Sequence, residues 1–126
     1  MGDSMSTIKA NDIQNASGGI PTVKGQRLIP TAWVNFNGTG TVAIGDSENV
    51  SSITDVAAGQ TTVTFTTAMA TIYYAAVVSS NNGVTDAGNA DYVTTKLVGS
   101  CKVRTGESGT FRDAPDVNLI ILGGQA

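Results

Sequence analysis

Residues 31–44 read Thr-Ala-Trp-Val-Asn-Phe-Asn-Gly-Thr-Gly-Thr-Val-Ala-Ile, and their period of two decides the fold class. Successive side chains of an extended strand point to opposite faces, so Ala32, Val34 and Phe36 share one face while Trp33 and Asn35 share the other. Asn37-Gly38-Thr39-Gly40 then reads as a tight turn, because Asn and Gly accept the positive φ that hairpin turns demand. Residues 41–44 form the return strand, with Val42 and Ile44 together.

The same alternation continues to the C-terminal end of the chain, punctuated by Gly, Asn and Asp. Residues 49–54 and 61–67 form a second hairpin joined by residues 55–60, with Gly59 as the permissive turn residue and Val63 and Phe65 on the packed face. Residues 72–79 are almost continuously apolar and predict a central strand covered on both faces. Asn81-Asn82-Gly83 ends it, and a polar loop runs on through Ala90. Residues 92–98 and 100–105 predict two more strands around Gly99, read as a bulge. Residues 106–115 are a further loop, and residues 117–122 a closing strand. The expectation is an all-β chain: an antiparallel β-sandwich of about seven or eight strands.

Residues 1–29 behave differently. Ile8, Ile13, Ile20, Val23 and Leu28 are separated by polar residues with no clean period, and Gly18-Gly19, Pro21 and Pro30 would break a long helix. An extended segment is expected, whose sparse apolar residues need a partner surface, with a frayed chain end as the plainer alternative. The predicted organisation is therefore an extended anchoring segment over residues 1–29 and a sandwich head over residues 30–126. A chain of 126 residues buries enough surface for one hydrophobic core.

Composition narrows the function. Charged residues make up 13% of the chain and hydrophobic ones 40%, with a net charge of −3, so the chain should fold and its surface is neutral and hydroxyl-rich. Seven scattered Lys and Arg form no basic patch, which argues against nucleic acid as a partner. No apolar run is long enough for a membrane helix, and no basic-then-apolar leader opens the chain, so neither membrane insertion nor export is expected. The first six residues fit a myristoylation pattern without the second signal that stable anchoring needs. Met5 is an equally good start.

Histidine is absent, which removes the commonest general base and metal ligand and excludes Ser-His-Asp and Cys-His arrangements. The single cysteine, Cys101, allows no intrachain disulfide and is read as a small core residue. Gly38-x-Gly40-x-x-Ala43 fits a dinucleotide fingerprint, but a strand follows it where a helix must open. Asp46 with Glu48, in what reads as a turn, and Asp113 with Asp116, flanking Pro115, are the only carboxylate pairs suited to glycoside cleavage, and both read as solvated loop acids. No calcium-loop pattern appears. Three Asn-x-Ser/Thr sequons, at Asn15, Asn37 and Asn49, carry no meaning without a leader. No catalytic, cofactor or metal site is expected, and the chain is read as non-enzymatic. Trp33, Tyr73, Tyr74 and Tyr92 are assigned to core or subunit-interface packing ahead of ligand binding.

The run Pro30-Thr-Ala-Trp-Val-Asn-Phe-Asn-Gly-Thr-Gly-Thr-Val-Ala-Ile44 resembles a module that recurs in phage fibre and tail-fibre-like proteins. Asn49-Val-Ser-Ser-Ile-Thr-Asp55 and Thr62-Val-Thr-Phe-Thr-Thr-Ala-Met69 continue the likeness, which covers residues 5 to about 80. It departs at Gly45, where such chains carry a basic residue, and at Ala70, where they carry proline. The resemblance implies a virion appendage, assembled in the cytoplasm of a bacterial host and usually homotrimeric. It implies attachment to other virion proteins, of capsid or tail, through the N-terminal segment. With few residues ahead of the head, a short head fibre or capsid decoration competes with a tail fibre that binds a host cell-surface glycan. Ile8, Ile13, Ile20 and Val23 are the candidates for anchoring and intersubunit contacts. Loops 81–91 and 106–116 are the candidates for receptor contact, with Asn81, Asn82, Asp86, Asn89, Asp91, Arg112 and Asp113 as their polar residues.

Overall fold

A computed structural model describes residues 9–14, 16–19, 22–23, 26–27, 30–81, 90–107 and 109–124. Among them every regular element is a strand: β1 (Thr22–Val23), β2 (Gln26–Arg27), β3 (Ala32–Asn37), β4 (Ala43–Glu48), β5 (Val50–Ala57), β6 (Gln60–Phe65), β7 (Ala75–Asn81), β8 (Tyr92–Lys96), β9 (Ser100–Arg104), β10 (Gly106–Glu107), β11 (Thr110–Phe111) and β12 (Asp116–Leu122). Two four-stranded antiparallel sheets, ordered β4-β3-β12-β7 and β5-β6-β9-β8, make a β-sandwich. We call them sheet I and sheet II. β1–β2 and β10–β11 are short ribbons.

Alternation fills the space between the sheets. In sheet I the register sets Val117 beside Phe36, Leu119 beside Val34 and Ile121 beside Ala32, and all six are buried. In sheet II Val63 lies beside Cys101 and Thr61 beside Val103, again all buried. Since the side-chain period is two, a slip of one residue would turn each apolar set outward, so burial specifies the pairing.

Tyr74 closes one end of this core. Its ring meets Phe65 edge-on, with centroids 5.9 Å apart and planes at 84°, and its hydroxyl donates to the carbonyls of Leu97 and Ser100 at 3.0 and 3.2 Å. Lys96 Nζ donates to the Tyr74 carbonyl at 3.0 Å. Burial, with the nearby Cys101 thiol adding to it, pushes the Tyr74 phenol from 10.0 up to about 12. Burial likewise pushes the Cys101 thiol from 9.0 up to about 12. Both groups therefore hold their protons in the folded chain at pH values where the unfolded chain has lost them. Stability is expected to be constant in this respect below about pH 9 and to fall as the pH rises toward 12. Thermal unfolding across that range should show the fall, and the double variant Tyr74→Phe, Cys101→Ala should flatten it.

Four local expectations are corrected. Residues 72–79 are not a central strand: β7 starts at Ala75 and forms an edge of sheet I, with Val77 67% exposed and Tyr73 87% exposed. An apolar run is compatible with a covered strand, but apolar residues also stand exposed on the surface of folded chains. Asp46 and Glu48 lie in β4 rather than in a turn; a register shift between Asn35 and Phe36 lets this return strand run past Gly45. Gly99 belongs to the turn between β8 and β9, whose irregularity falls between Val93 and Lys96. The loop after β9 holds the β10–β11 ribbon.

Candidate functional site

The sandwich has two unlike poles. The chain enters β3 and leaves β12 at the same one, where Thr31 N–H donates to the Ile121 carbonyl at 2.8 Å and Thr31 Oγ1 to the Gly123 carbonyl at 2.7 Å. At the opposite pole lie the β5–β6 turn, the end of β7, the start of β8 and the β10–β11 ribbon. There Asn81 pairs in register with Asp116, Ala90 N–H donates to the Gly106 carbonyl at 2.9 Å, and Gly38 N–H donates to the Ala114 carbonyl at 2.8 Å.

Of the receptor-contact candidates, Asn81, Asp91, Arg112 and Asp113 are thus brought to one pole, while Asn82, Asp86 and Asn89 lie outside the described residues. Their chemistry is unequal. Asp113 accepts the Gly59 N–H at 2.7 Å, so its carboxylate braces the pole. Arg112, half exposed, pairs with Glu107 at 2.9 Å, a geometry that contributes less than about 1 kcal/mol while water screens it. Arg104 lies over the Phe111 ring, 4.7 Å from its centroid. Asp91 Oδ1, Arg104 Nε and Glu107 Oε2 are buried without a hydrogen-bond partner among the described residues.

The anchoring candidates are placed less fully. Ile8 and Ile20 lie outside the described residues, Val23 is in β1, and Ile13 is exposed. The four candidate acids each sit apart in function: Asp46 Oδ1 accepts the Ser47 N–H at 2.9 Å, Glu48 stands opposite Trp33, Asp113 holds Gly59, and Asp116 accepts from Asn35.

A second surface was not singled out by sequence reasoning. The outer face of sheet I carries two rows set by register: Glu48, Trp33, Ile120 and Val77 in one, and Asp46, Asn35, Asn118 and Ser79 in the next. Asn35 Nδ2 donates to Asp116 Oδ1 at 2.7 Å and to Asn118 Oδ1 at 2.8 Å, and an open hollow of about 200 Å³ lies over Trp33, Asn35, Asn118 and Ile120. The alternation already set Trp33 and Asn35 on one face. Their partners stand more than eighty positions away, beyond the reach of a local pattern. Compared with known proteins, the chain matches no family model, no curated protein and no solved structure.

Proposed function

We propose that this chain is a non-enzymatic structural protein of a bacteriophage particle, a short fibre or capsid decoration that anchors through residues 1–29 and displays the sandwich as its head. The observation that carries the reading is the polarity of the head: residues 1–29 lead into β3 at one pole, and the loops bearing Asp91, Arg112 and Asp113 occupy the other. A head held by that segment presents those loops outward. The resemblance of residues 30–44 to phage fibre modules supports the particle, and it is also the ground for proposing a homotrimer. Exposed Ile13, Tyr73 and Val77 fit a chain that buries more apolar surface in an assembly than alone.

Many copies on one particle would turn weak individual contacts into strong attachment, because each further contact is made at high effective concentration. Particles assembled with a variant lacking residues 1–29 should carry the head at background level, read by immunoblot of purified particles. Incorporation at the wild-type level would overturn the anchor assignment. Light scattering on the full chain should give the mass of three copies.

A further inference from the structure

We propose that the outer face of sheet I is a binding site for a neutral saccharide, with Trp33 and Ile120 as its apolar floor and Asn118 and Asp116 as its hydrogen-bonding wall. For its biological use the proposal rests on the adhesive head described above. The chemistry of the site stands without it.

The floor and the wall are set by register. Trp33 lies beside Ile120 on neighbouring strands, and Asn35 lies beside Asn118 two residues along. Alternate residues of a strand are about 7 Å apart and neighbouring strands about 4.8 Å apart, so the two rows are separated by about the width of one sugar ring with its hydroxyls. An open hollow of about 200 Å³ over Trp33, Asn35, Asn118 and Ile120 has room for a single ring, and Asp116, outside its lining, is joined to it through Asn35.

The hydrogen bonds of Asn35 decide what the wall offers. Its amide gives both hydrogens away, one to Asp116 Oδ1 and one to Asn118 Oδ1. The carbonyl side of Asn118 is thereby turned toward Asn35, and its NH2 group, on the other side of the same planar amide, faces away. Asp116 keeps a second carboxylate oxygen. Asn118 thus offers a donor and Asp116 an acceptor, and a ligand with several hydroxyls can accept from the one and donate to the other. The ring's C–H face then lies on the Trp33 indole, which is the apolar part of a sugar on the apolar part of the site.

Charge narrows the ligand further. Asp46, Glu48 and Asp116 stand on this face, and none of the four strands of sheet I contains a lysine or arginine. Phosphates, sulfates and uronic acids would meet like charge, with no cation on these four strands to offset it. A purely apolar partner would cover the floor and leave the Asn118 NH2 and the second Asp116 oxygen without water or any other partner, which is costly. A neutral polyol satisfies both.

Trp33 is the only tryptophan of the chain, so tryptophan emission reports on this site alone. The full chain is titrated with cellobiose, maltose, lactose and triacetylchitotriose, with glucuronic acid as the charged comparison. The expected result is a saturable emission change with at least one neutral probe at millimolar concentration, and none with glucuronic acid. Asn118→Leu, and Asn118→Ser as a smaller change, should weaken that binding at least tenfold while far-ultraviolet circular dichroism remains that of the wild type. Wild-type emission indifferent to every neutral probe would overturn the proposal. So would emission that follows protein concentration instead of sugar, which would assign the face to contact between copies. Incorporation into particles is read separately, so loss of the anchor reading and loss of the saccharide site leave different signatures.

Discussion

Replacing Gly59 with alanine is expected to remove about 3 kcal/mol or more of folding stability, a value reserved for a few mechanisms such as backbone strain and core overpacking. Gly59 turns the β5–β6 hairpin with φ at +64°, a region that costs an L side chain about 1–2 kcal/mol. Space adds the larger part. A Cβ there would stand 2.6 Å from Arg112 N and 2.8 Å from Arg112 O, and would also press on the Thr105 carbonyl. All three are backbone atoms, and they are themselves tied down. Thr105 N–H donates to the Gly59 carbonyl at 2.9 Å, Thr105 Oγ1 to the Arg112 carbonyl at 2.7 Å, and Gly59 N–H to Asp113 at 2.7 Å. Relief for the methyl group therefore breaks bonds that hold the β10–β11 ribbon on the sandwich. Gly40 provides the comparison, because its φ is +60° but a Cβ would meet nothing within 4 Å. Gly40→Ala should cost only the conformational part, about 1–2 kcal/mol. Urea unfolding of the two variants separates strain from collision. Equal midpoints would show that the crowding at Gly59 is relieved without cost.

The contrast between these two glycines shows what local sequence carries. Both sit in stretches that read as turns, and both were legible as turn residues. Only the fold reveals that one of them is packed against a strand pair some fifty positions away. Strands were legible wherever apolar and polar residues alternate, as in Ala32, Val34 and Phe36 or Val63 and Phe65, because the packed face is written directly into the period. Between residues 72 and 79 the alternation fails. There Val77 and Tyr73 are as apolar as core residues and yet exposed, so hydrophobicity alone misplaced this stretch inside the sheet.

The candidate sites divide in the same way. Loop residues such as Asp91, Arg112 and Asp113 were found as polar residues between strands, which placed them at one pole without distinguishing roles. Asp113 turned out to hold Gly59, a structural duty that no local signal announces. On sheet I, by contrast, the pattern Val117-Asn118-Leu119-Ile120-Ile121 sets Asn118 and Ile120 on the outer face once residues 117, 119 and 121 are packed inside. The outer pair was readable in principle. What was missing was the pairing of β12 with β3, which brings Asn118 to Asn35 and Ile120 to Trp33.

Asn49 tests how the two sheets are joined, and its substitutions should rank in an order that chemistry dictates. It is the sole residue between β4 and β5 and carries the positive φ of 57° that turns the chain from the edge of one sheet to the edge of the other. Its Nδ2 donates to the carbonyls of Thr31 and Thr67 at 3.2 and 3.1 Å, and its Oδ1 accepts the Thr67 N–H at 2.7 Å. Asn49→Gly keeps the backbone at ease and loses these bonds, which at about 1 kcal/mol each predicts a loss of about 2–3 kcal/mol. Asn49→Ala loses the same bonds and adds the strain of a left-handed alanine, a further 1 kcal/mol or about that. Asn49→Asp preserves the shape but turns a carboxylate oxygen toward two carbonyls, so it should be at least as damaging as alanine near neutral pH. That last variant carries its own signature. Repulsion from the carbonyls raises the folded carboxyl above its ordinary value of about 4, so the folded chain binds the proton more tightly than the unfolded one. Its stability relative to Asn49→Ala should therefore recover as the pH falls through that raised value toward 4, read by urea midpoints at each pH. A pH-independent difference between the two would mean that the Thr31 and Thr67 carbonyls do not face this side chain, and the corner would have to be held by the backbone alone.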